Sequence, residues 1–217
     1  YNCEYLFNLG DFIHKPVMDP RALAGVKTCF ELLAKKWDKD HHWLIYGNHC
    51  VNSKNSIIHP KDSPLYAFNS FYTYMDHKII QMDNKSLAFM NWTADQDLSW
   101  IEKPVDYFFG HLTPYVEGAM FGQEIDWSKF KVGFAGDYHQ PKTFNGKLHT
   151  TNVVMPHYIS DHQDGSVVVL DIETGEWERV QTRKAGSFNH LRIFYDDVSV
   201  PDEDEYTVRV KRPLPTA

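Results

Sequence analysis

The chain has 217 residues with a formal net charge of −7, which is enough length for one large domain with a substantial core. Its acidic balance disfavours a surface that holds nucleic acid through Lys and Arg alone, and no apolar run approaches the ~20 residues that span a bilayer, so we expect no membrane partner. The three cysteines are odd in number and form no C-x-x-C pair, which disfavours a disulfide framework and favours a reducing, cytoplasmic setting.

The first fifty residues predict a strand–helix–strand unit. A short apolar run, Tyr5–Leu9, ends at a glycine and is typical of a buried strand. Asp19 is then suited to cap a helix that has Pro20 at its first position. Trp43–Tyr46 is a second apolar run ending at a glycine, and the length of the crossover predicts two parallel strands. One apolar helix face is predicted from Leu23, Val26, Phe30, Leu33 and Trp37.

The remainder predicts a mixed α/β domain whose sheet is covered on both sides. Helices are predicted at Ser63–Tyr74 and Asp95–Glu102, and a turn at Glu173–Glu176 joins a β-hairpin. The acidic stretch that follows residue 195 predicts a domain boundary, with a core at 1–195 and a linker and the start of a capping segment at 196–217. Further strands are predicted at Ile79–Met82, Leu87–Trp92, Tyr107–Phe109, Val132–Ala135, Val167–Ile172, Trp177–Gln181 and His190–Tyr195.

Four strand-like runs end in a glycine that is followed by potential metal ligands. Because ligands gather beyond the carboxyl ends of strands in an α/β sheet, we expect these side chains to converge. Glycine at such a position lets the backbone turn tightly. Carboxylate, carboxamide and imidazole donors together suit manganese, iron or zinc better than calcium. The four runs supply Asp11 with His14, Asn48 with His49, His111 alone, and Asp137 with His139.

The ordered series G-D, G-N-H, G-H and G-x-x-H resembles the calcineurin-like metallophosphoesterase family. The spacing of Asp11 and His14 resembles the nuclease branch, represented by SbcD and its eukaryotic double-strand-break-repair relatives. The stretch from Gly47 to Pro60 is similar to the recombination endonuclease subunit of tailed phages. The resemblance covers roughly Leu6 to Val210, and it implies a β-sandwich flanked by helices in αββα layers with a two-metal centre.

Transferred residue by residue, the resemblance implies metal ligands at five positions. Asp11 would bridge two divalent ions, Asn48 and His111 would bind the second ion, and His139 would bind the first. Asp137 stands where the family has a histidine, and its carboxylate can still ligate a metal with a harder oxygen donor. The resemblance implies manganese as the metal, with iron or zinc as alternatives.

The resemblance also implies a reaction, namely hydrolysis of DNA phosphodiesters by two metals in a recombination or repair complex. His49 would donate a proton to the leaving oxygen, and His14 would contact the substrate phosphate. The expected partners are DNA, a coiled-coil ATPase subunit of the SbcC type and a second copy of the chain. Two alternatives stay open: a phosphatase or phosphodiesterase for small or protein phosphoesters, and a catalytically degenerate scaffold that binds a partner.

Three departures from the family pattern bear on this interpretation. The opening D-x-H motif of the family is not found between Tyr1 and Leu9, and we expect it in residues upstream of a sequence that looks cut at both ends. Cys50 replaces the aspartate that usually follows G-N-H, which predicts a looser orientation of His49. Asp137 is the third departure. His157 and His162 are further histidines on a loop that could approach the site.

Overall fold

The structure is a computed structural model that describes residues 2–51, 59–115, 122, 124–151 and 165–182, together with the backbone of four short strands between 191 and 210. The fold is α/β with mixed sheets and few helices. Its elements are β1 Leu6–Leu9, α1 Pro20–Leu33, β2 His42–Ile45, β3 Thr73–Tyr74, β4 Lys78–Met82, β5 Lys85–Met90, β6 Val105–His111, β7 Phe130–Gly136, β8 Thr143–Phe144, β9 Leu148–Thr150, β10 Ser166–Leu170, β11 Trp177–Gln181, β12 Leu191–Arg192, β13 Tyr195–Asp197, β14 Tyr206–Thr207 and β15 Arg209–Val210, with 3₁₀ helices at Pro60–Asp62 and Pro64–Phe68.

The predicted strand–helix–strand unit is confirmed. Strands β1, β2 and β3 form a parallel sheet in that order. The Asp19 carboxylate accepts hydrogen bonds from the amides of Arg21 and Ala22, both at 2.8 Å, and Pro20 is the first helical residue. This cap supplies partners for two amides that have none inside the helix. The helix ends at Leu33, four residues before the predicted apolar face ends.

The second sheet has six strands in the order β4-β5-β6-β7-β9-β8. Strands β5, β6, β7 and β9 are parallel, and the edge strands β4 and β8 run antiparallel to their neighbours. The carboxyl ends of the four parallel strands therefore meet at one edge of this sheet. Strands β3, β8 and β9 are two or three residues long, and the sequence did not predict them.

Aromatic rings join the two sheets face to face. Phe7 of β1 makes edge-on contacts with Phe89 and Phe109, with ring centroids 5.4 and 4.9 Å apart. Trp43 of β2 meets Phe89 in the same way at 5.4 Å. Such pairs add about 0.5–1.5 kcal/mol each beyond the burial of their area. This shared core holds the ends of β1 and β2 next to the ends of β6 and β7.

The outer faces of the sheets are covered unequally. Phe30 of α1 and Tyr72 pack on Leu44 of β2 and on Tyr46, which directly follows that strand. The outer face of the six-stranded sheet is covered by irregular segments that contribute Leu98, Ile101 and Ile125. Helices on both sides of a sandwich therefore stay a prediction.

Of the two helical segments predicted beyond α1, the first is found only as a short 3₁₀ helix and the second is wrong. Residues 63–74 form the short 3₁₀ helix Pro64–Phe68 and then β3, and residues 95–102 contain no helix. In the second segment the Asp97 carboxylate accepts hydrogen bonds from the amide of Ser99 at 2.8 Å and from its hydroxyl at 2.5 Å. Such local side-chain bonds compete with helical hydrogen bonding, and Gln96 has a left-handed φ of 47° that also ends a helix.

The hairpin of β10 and β11 is confirmed, with Leu170 paired to Trp177. The strand predicted at His190–Tyr195 lies mostly outside the described residues, which here include only the short strand β12 and the first residue of β13. The domain boundary expected after residue 195 falls within β13 and stays a prediction. No described helix combines the length and the apolar character needed to cross a bilayer.

Candidate metal centre

Four predicted ligands converge where the two sheets meet. Asp11 follows β1, and Asn48 follows β2, so both come from the three-stranded sheet. His111 is the last residue of β6 and is paired with Gly136 at the end of β7, directly before Asp137. The parallel strands thus deliver each side chain from its own strand end to one place.

The four side chains meet around the Nε2 atom of His111. The Oδ1 atom of Asn48 lies 3.2 Å from this nitrogen. One carboxylate oxygen of Asp11 and one of Asp137 lie 3.3 and 3.5 Å from it. The ligand atoms of His111 and the two aspartates all lie within 4.8 Å of one another. Three oxygens from three different loops therefore surround one imidazole nitrogen.

The orientation of His111 is fixed by its other nitrogen. Nδ1 lies 2.7 Å from the carbonyl oxygen of Leu9, and a carbonyl only accepts, so Nδ1 carries the hydrogen and donates it. The Nε2 atom consequently faces Asp11, Asn48 and Asp137. The side chain is 1% exposed, so it is held by packing as well as by this bond. A backbone partner of this kind is the usual way in which a metal-binding histidine is oriented.

The turns that present the two carboxylates have unusual backbone conformations. Gly10 and Asp11 both have positive φ, at 93° and 50°, and Asp137 has φ of 82°. Aspartate is one of the few side chains that adopt this region, because its short polar group can bond locally. The Oδ1 atom of Asp11 accepts the amide hydrogen of His49 at 3.0 Å. This bond leaves the other oxygen directed at His111.

The His111 side chain offsets part of the negative charge of Asp11 and Asp137. Burial lowers the pKa of His111, but hydrogen bonds and charge from Asp11 and Asp137 outweigh it and raise that pKa to about 10. Burial raises the pKa of Asp11. The hydrogen bond and charge of His111 and the hydrogen bond from the His49 amide lower it by more, so the pKa of Asp11 falls below its usual value. A positive charge between these carboxylates is therefore strongly favoured.

His49 and His14 form a pair beside this cluster. Their rings are stacked with centroids 5.1 Å apart and planes 15° from parallel. The Nδ1 atom of His49 lies 2.9 Å from the carbonyl oxygen of His14, so Nδ1 donates its hydrogen there. The Nε2 atom is then the position at which His49 gains or loses a proton. The side chain of His14 is exposed to solvent.

The remaining candidates are not part of the described ligand group. His139 is half-buried on the loop after Asp137, and it is not part of the described group whose ligand atoms lie within 4.8 Å of one another. His157 and His162 lie outside the described residues. Cys50 is fully buried, and burial raises the pKa of its thiol to about 11, which is typical of a packing residue rather than a reactive one.

Sequence reasoning missed Thr113. Its hydroxyl donates a hydrogen bond to Oδ2 of Asp137, the oxygen that does not face His111. Thr113 follows His111 by two residues, and no motif or spacing distinguishes it from an ordinary loop threonine. The backbone carbonyl of Leu9 was missed for the same reason, because a carbonyl leaves no trace in a sequence.

A scan against models of known protein families finds no match for this chain, and a search of curated proteins finds no similar sequence. The resemblance to the metallophosphoesterases therefore stays a prediction.

The donor set fits a divalent cation. Two carboxylates, one amide oxygen and one imidazole nitrogen are a mixture that manganese, iron or zinc accepts. The His111 imidazolium must lose a proton before it can bind a metal. A cation of charge +2 would then neutralise the negative charges of Asp11 and Asp137 in its place. The pocket also depends on Gly47, because a Cβ atom at that position would overlap the Asp11 carboxylate and the His111 ring.

The Gly47→Ala substitution is expected to disrupt the site from within. The added methyl group forces Asp11 and His111 apart, and overpacking of this kind destabilises a fold by about 1–3 kcal/mol. Calorimetric titration with Mn²⁺ and thermal melting of the metal-free chain are the two measurements. The matched control is Gly25→Ala on α1, where a Cβ meets nothing within 4 Å and alanine favours the helix. Unchanged Mn²⁺ affinity in Gly47→Ala would contradict this account of the pocket.

Proposed function

We propose that this protein is a metal-dependent phosphodiesterase that acts on DNA. The observation that supports it most is the meeting of Asp11, Asn48, His111 and Asp137 at four strand ends beside an imidazole pair. Metal ligands next to a histidine that can exchange a proton are the parts that phosphodiester hydrolysis needs. The cytoplasmic setting and the four-layer sandwich expected from the sequence belong to the same proposal.

The ligands have distinct tasks in this proposal. Asp11, Asn48, His111 and Asp137 would hold one divalent cation, with manganese as the first choice, and the family resemblance assigns His139 to the other ion of the pair. Bound cations supply a water of lowered pKa and positive charge for the phosphate in the transition state. The Leu9 carbonyl keeps His111 in the tautomer that ligates, and the His49 amide keeps Asp11 in place.

His49 provides the proton for the leaving oxygen. Its Nδ1 hydrogen is engaged by the carbonyl of His14, so the proton is released from Nε2. Departure of a deoxyribose oxygen without protonation is unfavourable, and a placed general acid contributes about 10²–10⁴-fold. His14 is exposed and stacked on His49, and in this proposal it would donate a hydrogen bond to a phosphate oxygen.

DNA is favoured over smaller substrates by the spacing of Asp11 and His14, which resembles the nuclease branch. The acidic net charge of −7 means that few phosphates are held by Lys and Arg alone, so bound cations must contribute to DNA affinity. The ATPase subunit of the SbcC type and a second copy of the chain are the partners that this proposal expects.

The deciding experiment compares substrates under one set of conditions. The protein is incubated with Mn²⁺ and given linear duplex DNA, single-stranded DNA and bis(p-nitrophenyl) phosphate, with chelator in a parallel series. Cleavage of DNA that disappears with chelator is expected. Hydrolysis of the small diester with intact DNA would instead favour the phosphatase or phosphodiesterase alternative.

One observation favours a second candidate, a metal-containing scaffold that binds a partner without catalysis. Within the described residues a single ligand group is found, and His139 is not in it. A single cation would bind and stabilise the fold, yet it would not provide the two-metal clamp. Metal analysis separates the candidates: two equivalents of metal per chain support the enzyme, and one equivalent with no hydrolysis of any substrate supports the scaffold.

A further inference from the structure

Thr113 shares the Asp137 carboxylate with His111. The hydroxyl of Thr113 donates to Oδ2 of Asp137, whereas Oδ1 of the same carboxylate lies 3.5 Å from Nε2 of His111. The two oxygens therefore face different partners. One is bound by a neutral donor, and the other is left for the cation pocket.

The hydroxyl gives this carboxylate a second anchor besides His111. The terminal torsion of an aspartate is broad and roughly two-fold, so its oxygens exchange easily. Asp137 also follows Gly136 and has a left-handed φ of 82°, a turn conformation that does not by itself orient the side chain. A donor on Oδ2 determines which oxygen faces His111.

Thr113 is well placed to give that orientation. Leu112, directly before it, is fully buried in the core on the outer side of the six-stranded sheet. Its packing anchors the segment that leaves β6, and this segment carries both the ligand His111 and the donor Thr113. The same stretch of backbone thus sets the distance between His111 and Thr113, the group that bonds to the neighbouring ligand Asp137.

We infer that Thr113 is a positioning residue of the metal site, which acts through Asp137 to keep that carboxylate a one-oxygen ligand. This inference rests on the cation site of the proposed function. Groups that orient a metal ligand typically contribute about 10–100-fold to metal affinity. The hydroxyl itself touches no substrate and needs no contact with the cation.

The test measures Mn²⁺ affinity directly, by calorimetry and by the electron paramagnetic resonance signal of free Mn²⁺. Thr113→Val keeps the shape of the side chain and removes the donor, so its dissociation constant is expected to rise about 10–100-fold. Thr113→Ser restores the hydroxyl and is expected to restore affinity. The matched control is Thr73→Val, which removes a similar hydroxyl bond, from Thr73 to the Lys39 carbonyl, in an exposed place on β3.

A second comparison tests the route through Asp137. In an Asp137→Ala background the same Thr113→Val change is expected to have no further effect on Mn²⁺ affinity, because the two residues act as a unit. Equal affinities of the Val and Ser variants, or a full additional loss in the Ala background, would overturn the inference. Melting curves without metal confirm that each variant is folded, and a variant that does not fold is replaced by Thr113→Ala.

These outcomes separate the inference from the proposed function. A chain that binds Mn²⁺ and loses affinity in Thr113→Val, yet leaves DNA and small diesters intact, would refute the hydrolase and leave the role of Thr113 standing. A chain that cleaves DNA and is indifferent to Thr113→Val would do the reverse. Absence of Mn²⁺ binding in the unaltered chain would overturn both.

Discussion

The Asp11→Asn variant is expected to lose DNA cleavage almost completely, by about a thousandfold or more, since a ligand to the cations supports several kcal/mol of charge stabilisation in the transition state. Asp11 combines two contacts in one side chain, since it lies 3.3 Å from Nε2 of His111 and accepts the His49 amide hydrogen. The sequence resemblance further predicts that it bridges two ions. Asparagine has nearly the same shape but lacks the charge.

The Asp11→Asn substitution is expected to leave the backbone conformation unchanged. Asp11 has φ of 50°, and asparagine adopts this region as readily as aspartate. Asp83 offers a matched control, because it is exposed in the turn between β4 and β5 and has φ of 47°. Rates of DNA cleavage and Mn²⁺ affinities are measured for Asp11→Asn, Asp83→Asn and the unaltered chain. Cleavage by Asp11→Asn at the unaltered rate would refute the proposed site.

The convergence of the ligands could be predicted because parallel strands constrain it. Glycine followed by Asp11, by Asn48 or by Asp137 predicts a tight turn at a strand end, and parallel strands bring such turns to one edge. The strand patterns alone did not show that these strands lie in two different sheets, which only the family resemblance implied. That arrangement depends on the ring contacts of Phe7 with Phe89 and Phe109, which no periodicity encodes.

Other features escaped prediction for local reasons. The helix expected at 95–102 is not formed, and there the Asp97 carboxylate bonds locally to Ser99, which competes with helical hydrogen bonding. The strands β8 and β9 are too short for an alternating pattern to be recognised. Thr113 and the Leu9 carbonyl were missed because only their positions in space bring them to Asp137 and His111. A sequence indicates which ligand types follow the strands, whereas the groups that orient these ligands are recognised only in the structure.

His49→Gln is expected to lower the rate of DNA cleavage by about 10²–10⁴-fold, because the general acid is lost. Mn²⁺ affinity is expected to stay unchanged. The amide of residue 49 still donates to Asp11 in the variant, and the ring of His49 is not part of the described ligand group. The control is His41→Gln, a half-exposed histidine whose Nδ1 bonds to Asp38 at 2.7 Å, away from the candidate site.

The choice of substrate shows whether the lost function of His49 is proton donation. A deoxyribose oxygen must be protonated as it leaves, whereas p-nitrophenolate leaves readily without a proton. If Nε2 of His49 is the donor, His49→Gln slows DNA cleavage far more than hydrolysis of bis(p-nitrophenyl) phosphate. An equal loss for both substrates would mean that His49 orients the phosphate, because a positioning defect does not depend on the leaving group. The bond from Nδ1 to the His14 carbonyl favours the first outcome, since it leaves Nε2 as the nitrogen from which the proton is delivered.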